Sequence, residues 1–295
     1  MRAVIFVNGT VEDYQSMRDR LLPDDYIICA DGGVRHCLAL GLTPRVIVGD
    51  MDSADPSVLR DLHQQGAQIE RHPPVKDQTD LELALERALR DGADEILLLG
   101  ALGGRLDQTL ANLHIVAQRR WPVPIQIAEG GQAAQIITGG DRLILHAPAG
   151  STVSAIPFSP QVTGINYTGL RYPLTDATLR FGSTRGISNR IATEPAIIEI
   201  DQGVLLVVVD VEAETNETES RIKIDLSDQG MAKAYGAAVD HLTKTVTDTA
   251  ANTMADTVAE SVTESIPEIV ERTADELETA KGGKERQRPA KSGEE

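Results

Sequence analysis

The chain has 295 residues, 41% of them hydrophobic and 25% charged, which is enough apolar material for cores in two domains of ordinary size. Its 45 acids against 28 bases give a formal charge of −17. That balance excludes a nucleic-acid or anionic-membrane binder relying on overall charge, and two cysteines, Cys29 and Cys37, exclude a disulfide-built scaffold.

The opening MRAVIFVNGT carries an apolar run too short for a secretory signal. No stretch reaches the ~18 apolar residues of a membrane helix. A soluble, cytoplasmic protein is expected. Short apolar runs at residues 3–7, 26–30, 46–48 and 96–99 read as buried strands. Helical patterns fall between and after them, over 34–40, 56–65, 79–91 and 108–120. Strands alternating with helices predict an α/β N-terminal domain with a mostly parallel sheet, assigned to residues 1–122.

Residues 123–211 read differently. Seven short β-type runs (125–128, 134–137, 142–146, 152–157, 177–180, 196–199 and 204–209) follow one another with Gly and Pro at the turns and no helix between them. They predict an all-β sandwich as a second domain. Residues 212–295 hold 19 acids and 10 bases, a net of −9 that leaves −8 for the rest. This acidic C-terminal extension is expected to be helical in part over 230–280, with a disordered end.

In a parallel sheet, ligands bind beyond the carboxyl ends of the strands. Here those ends read Asp31-Gly32-Gly33, Asp50-Met51-Asp52-Ser53 and Gly100-Ala101-Leu102-Gly103-Gly104-Arg105-Leu106-Asp107-Gln108, with Lys76-Asp77-Gln78-Thr79-Asp80 before a helix. Taken alone, Asp50-x-Asp52 would also suit a helix cap, Thr79 or Asp80 an N-cap, and either glycine pair a tight turn. Four such loops at one sheet edge define a site. The crowded carboxylates of Asp31, Asp50, Asp52, Asp77, Asp80 and Asp107 call for a divalent cation, and oxygen ligands suit Mg²⁺. Lys76 and Arg105 supply charge for phosphate oxygens, and Gly32, Gly33, Gly103 and Gly104 allow close backbone approach. Magnesium-assisted transfer or cleavage of a phosphoryl group follows. No G-x-x-x-x-G-K-[ST] loop is present, and the six histidines lack metal-ligand spacing.

These loops, in this order, resemble the thiamin diphosphokinase (thiamin pyrophosphokinase) family. Gly169-Leu170-Arg171-Tyr172-Pro173-Leu174 and Gly186-Ile187-Ser188-Asn189 resemble that family's second-domain motifs, so the likeness covers roughly residues 1–211. It implies transfer of the diphosphate of ATP to the hydroxyl of thiamin, with release of AMP. It also implies a β-sandwich second domain and a homodimer whose site lies between subunits. Carried over, Asp50, Asp52, Asp77 and Asp80 would serve Mg²⁺. Lys76, Thr79, Gly103, Gly104 and Arg105 would face ATP, while Asp31, Gly32, Gly33 and Asp107 would line the nucleotide and transfer site. Ser188 and Asn189 would touch thiamin. Either Asp80 or Asp107 would accept the alcohol proton. Two departures stand out: the glycine-arginine loop continues into Asp107-Gln108 where the family often has Asp-His, so Gln108 binds without titrating. The single Trp121 lies at the domain junction, so stacking on thiamin falls to another side chain, for example Tyr172, or is absent. A diphosphokinase for another alcohol such as a pterin, and a phosphohydrolase using Asp50 and Asp52, are the competing readings. No nucleic-acid or membrane partner is expected.

Overall fold

The structure is a computed structural model that describes residues 1–52, 54–211 and 223–226. The described residues belong to one compact unit, Met1–Ala237. The helix expected over 230–280 and the disordered end lie outside the described residues.

The first half alternates as its apolar pattern predicts. β1 (Arg2–Phe6), α1 (Tyr14–Asp19) and β2 (Tyr26–Ala30) come first, and β2 passes through a single turn, Asp31–Gly33, into α2 (Val34–Ala39). Then follow β3 (Val46–Gly49), α3 (Pro56–Gln64), β4 (Gln68–Arg71), α4 (Asp80–Arg90), β5 (Glu95–Leu99), α5 (Leu106–Ala117) and β6 (Ile125–Glu129). Local chemistry fixes the helix starts: Asp13 caps α1, Asp55 caps α3 ahead of Pro56, and Thr79 caps α4 through Oγ1. The six strands run parallel in the order β6-β5-β1-β2-β3-β4. Both faces are covered. Along β1, Ala3 and Ile5 enter one core with Leu85 and Leu98, while Val4 and Phe6 enter another with Ile47 and Leu62.

The second half is all β: β7 (Gln132–Thr138), β8 (Arg142–His146), β9 (Thr152–Pro157), β10 (Gln161–Thr168), β11 (Ala177–Arg180), β12 (Asn189–Arg190), β13 (Ala196–Glu199), β14 (Val204–Asp210) and β15 (Lys223–Leu226). One sheet of five strands runs β11-β10-β13-β8-β15. The others do not form a sheet of their own. Gly130 and Gly131 turn the chain, with φ +51° at Gly130, and β7 folds back antiparallel on β6. β14, β9 and β12 then extend the parallel sheet to ten strands of mixed sense. Leu143, Val162, Ile198, Leu205 and Val207 fill the core of this second half.

The sequence pattern misses α1, β4, β10, β12 and β15. α1 buries only Met17, and β4 is an edge strand with one apolar residue, Ile69. β12 has two residues. β15 pairs with β8 within the stretch expected to be an acidic extension. Among the described residues no helix is long and apolar enough to cross a membrane.

Candidate active site

Parallel strands deliver their ends to one edge. β2 delivers Asp31, β3 delivers Asp50 and Asp52, and carboxylate oxygens of these three acids lie within 4.8 Å of one another. The backbone is bent to achieve this: Asp31 has φ +43° and Met51 φ +66°, sparsely populated for side-chain-bearing residues. The Asp52 amide donates to Asp50 Oδ1 at 3.1 Å, closing the loop on itself. Gly49 has φ +153°, and a Cβ there would stand 3.0 Å from Asp31 Cβ and 3.3 Å from Asp80 Oδ1. Asp80, at the start of α4, thus borders the same space. Lys76 Nζ binds Asp80 Oδ1 at 2.6 Å.

Three clustered carboxylates are an oxygen-only donor set, which fits a hard cation such as Mg²⁺ and suits a soft metal poorly. Among the described residues this is the one group of three His, Cys, Asp or Glu side chains close enough to share an ion. It joins Asp50 and Asp52 with Asp31, which the resemblance places along the nucleotide and transfer site. Asp80 stands beside it, paired with Lys76, and Asp77 lies exposed on the preceding loop.

The loop from β5 to α5 forms a second wall. Gly103 and Gly104 have φ +83° and +78°. Side chains there would strike Thr10, at 2.6 Å from its carbonyl oxygen and 2.8 Å from its Oγ1. Arg105 holds Asp107 through two contacts, 2.5 and 3.1 Å, and both side chains are largely exposed. The guanidinium keeps the Asp107 carboxyl below the ordinary carboxylate range, and Asp107 raises Arg105. An ion pair this exposed is weak, so Arg105 is free to exchange its partner for a phosphate. Gln108 lies exposed in the first turn of α5.

Further neighbours complete the frame. The Asn8 side chain packs on Gly32, where a Cβ would stand 2.3 Å from its Nδ2, and Gly33 packs on the Phe6 carbonyl. Buried Asn112 of α5 donates to the Ala101 carbonyl at 2.7 Å. Glu129, at the end of β6, meets the Gly100 amide. Burial raises its pKa, outweighing that bond and the facing Arg20. Asn112 and Glu129 sit on regular elements, so no loop motif marks them.

The second-half motif lies elsewhere. Ser188 has φ +58°, and its amide donates to Ser154 Oγ at 3.1 Å. The Asn189 amide is spent on neighbouring backbone: Oδ1 accepts from Tyr172 N at 3.0 Å and Arg190 N at 2.8 Å, and Nδ2 donates to Tyr172 O at 2.8 Å. Asn189 therefore holds Tyr172, a residue 60% exposed with the Arg171 guanidinium 5.7 Å from its ring centroid. β12 is seven places from β2 in the ten-stranded sheet. At about 4.8 Å per strand that is roughly 30 Å, so one chain does not bring Ser188 and Asn189 to its own acids.

Two family models match the chain: the thiamin pyrophosphokinase catalytic domain over residues 18–127, and the thiamin pyrophosphokinase vitamin B1 binding domain over residues 142–205. A thiamine pyrophosphokinase of Bacillus subtilis is 29% identical over 182 residues, covering 61% of this chain and 85% of that protein. Thiamine pyrophosphokinase 2 of rice is 26% identical over 220 residues, covering 60% and 75%. The crystal structure of the B. subtilis enzyme covers 72% of this chain and 100% of its own, with TM-score 0.63 and 25% identity. That of Geobacillus thermodenitrificans thiamin pyrophosphokinase covers 72% and 99%, with TM-score 0.62 and 27% identity.

Proposed function

The chain belongs to the thiamin pyrophosphokinase family, and on that premise we propose that it transfers the diphosphate of ATP to the hydroxyethyl oxygen of thiamin, giving thiamin diphosphate and AMP. The observation that carries the reading is the meeting of Asp31, Asp50 and Asp52 at the strand ends, accompanied by a glycine loop and two cations, Lys76 and Arg105, each paired with an aspartate. Family membership favours diphosphate transfer to thiamin over hydrolysis or a pterin acceptor.

Asp31, Asp50 and Asp52 would hold Mg²⁺, with Asp80 and Asp77 beside them. Bound there, the ion would neutralise triphosphate charge and polarise the phosphorus under attack. The chain's own residues do the rest. Lys76 and Arg105 turn from Asp80 and Asp107 to phosphate oxygens, and the backbone of Gly103, Gly104, Gly32 and Gly33 lies close to the phosphates. Thr79 fixes the start of α4 and with it Asp80. Once Arg105 has left it, Asp107 is a free carboxylate able to take the alcohol proton, as is Asp80 once Lys76 has turned. Tyr172 offers an exposed ring for a thiazolium or pyrimidine ring to stack on, with Ser188 beside it.

The roughly 30 Å between β12 and β2 supports a homodimer in which the second half of one copy completes the acidic site of the other. Residues 1–122 would then supply the ATP and magnesium site, and residues 123–211 the thiamin site. A cytoplasmic enzyme working at the cell's ATP pool is the matching location. The test is incubation with ATP, Mg²⁺ and thiamin. Thiamin diphosphate and AMP are expected in equal amounts, and a folded protein that makes neither sinks the reading.

A further inference from the structure

His36 takes no part in the chemistry above, yet it is 1% exposed and lies against Gly9 and Gly100, just past the ends of β1 and β5. Its Nε2 is 2.8 Å from the Gly9 carbonyl oxygen, and its Nδ1 is 2.8 Å from the Tyr14 hydroxyl. A carbonyl oxygen only accepts, so Nε2 carries the proton and donates to Gly9. Nδ1 is then the acceptor, and Tyr14 donates to it. One neutral tautomer satisfies both bonds. Arg35 adds donors to the same turn, at 2.8 Å to Gly9 O and 3.1 Å to Asn8 O. Its Nε also approaches His36 Nε2 at 3.3 Å. With Nε2 already donating, that approach is a charge contact that opposes a second ring proton.

The turn held in this way joins the two walls of the site. The Gly9 amide donates to Gly100 O at 2.8 Å. A Cβ at Gly9 would stand 2.4 Å from Leu102 O, so the β1 and β5 loops press together there. On one side Asn8 packs on Gly32, next to Asp31. On the other, Thr10 packs on Gly103 and Gly104.

We infer that His36 is a positioning residue for ATP: from α2 it fixes the Asn8-Gly9-Thr10 turn, and through that turn it registers Asp31 against the phosphate-facing glycines. The inference rests on the ATP-dependent reading above.

The test compares His36→Leu, which removes both bonds at similar volume, with His36→Gln, which keeps a donor near the Nε2 position, in the full chain. Kd for ATP with Mg²⁺, measured by calorimetry without thiamin, is expected to weaken about tenfold in His36→Leu, the size of one buried hydrogen bond, and less than about threefold in His36→Gln. In turnover, KM for ATP should rise while KM for thiamin stays put. If His36→Leu fails to fold, Tyr14→Phe decides, with a rise of about threefold expected in the ATP Kd from the loss of its bond to Nδ1. Unchanged ATP affinity in these variants, equal changes for ATP and thiamin, or no recovery in His36→Gln overturns the inference. A wild-type protein that binds ATP but makes no thiamin diphosphate sinks the proposed reaction and leaves the calorimetric comparison standing.

Discussion

Lys76 Nζ stands 2.6 Å from Asp80 Oδ1, so the loop before α4 and the first residue of that helix are joined by charge at the border of the acid cluster. The pair keeps Asp80 from adding an unbalanced charge to Asp31, Asp50 and Asp52 while no polyphosphate is present. Lys76→Met should weaken ATP binding about tenfold, because a charge-assisted contact to phosphate is lost. Calorimetry with ATP and Mg²⁺ reads this directly. Undiminished affinity would remove Lys76 from the phosphate path.

Asp52→Asn should lower kcat by at least about a hundredfold with little change in thermal stability, since the electrostatic frame for the transferred group loses one of three carboxylates. Steady-state kinetics beside a thermal melt separates the two effects, and near-normal turnover takes Asp52 out of the cluster's function.

Gly49→Ala places a Cβ at 3.0 Å from Asp31 Cβ in a backbone conformation that favours glycine. It should cost about 1–3 kcal/mol in stability and reduce activity as well. A variant as stable and active as the wild type would mean that β3 and the Asp31 turn can move apart freely.

A mixture of Asp52→Asn and Tyr172→Ala subunits, each nearly inactive alone, tests the shared site. If the site lies between copies, random heterodimers carry one intact site and the mixture recovers up to about a quarter of wild-type activity. No recovery after proven subunit exchange counts against a site built from two copies.

Glu70 gives the clearest acid-side prediction. Burial works against its charge, but Arg87, Arg90 and His72 prevail and hold its pKa at about 2. A carboxyl depressed in the folded state contributes stability above its unfolded value of about 4.3 and loses it as pH falls toward 2. Wild type should therefore exceed Glu70→Gln in denaturation midpoint above about pH 5, with the gap closing toward pH 2. A gap that does not depend on pH would show that the carboxylate is not what the arginines stabilise.

Much of this was legible in the chain, for identifiable reasons. Asp31, Asp50, Asp52 and the Gly103-Gly104-Arg105 run lie just past short strands, where the continuous apolar run stops and polar loops begin. What a one-dimensional reading could not supply was distance. The crowding of strand-end acids was readable, but nothing in the sequence says that the φ +43° turn after β2 brings Asp31, rather than Asp77 or Asp80, within 4.8 Å of both β3 acids. Asn189 looked like a ligand contact, whereas its amide is engaged with the backbone of Tyr172, seventeen positions away. Glu129 was overlooked because it sits on a strand with no motif around it, and nothing in the sequence names the hydrogen-bond partners of His36. The continuous ten-stranded sheet was hidden for a similar reason, since a change from helices to strands reads as a boundary even where hydrogen bonding runs through it.

That continuity limits how the molecule can move. The two halves are joined through the β6–β7 ladder, with Gln126 opposite Gln135 and Ala128 opposite Ala133, and β14 continues it. A hinge between them would have to break that ladder. Admission of substrate and release of product therefore fall to the strand-end loops, and calorimetric melting should treat the two halves as one cooperative block rather than two separable ones.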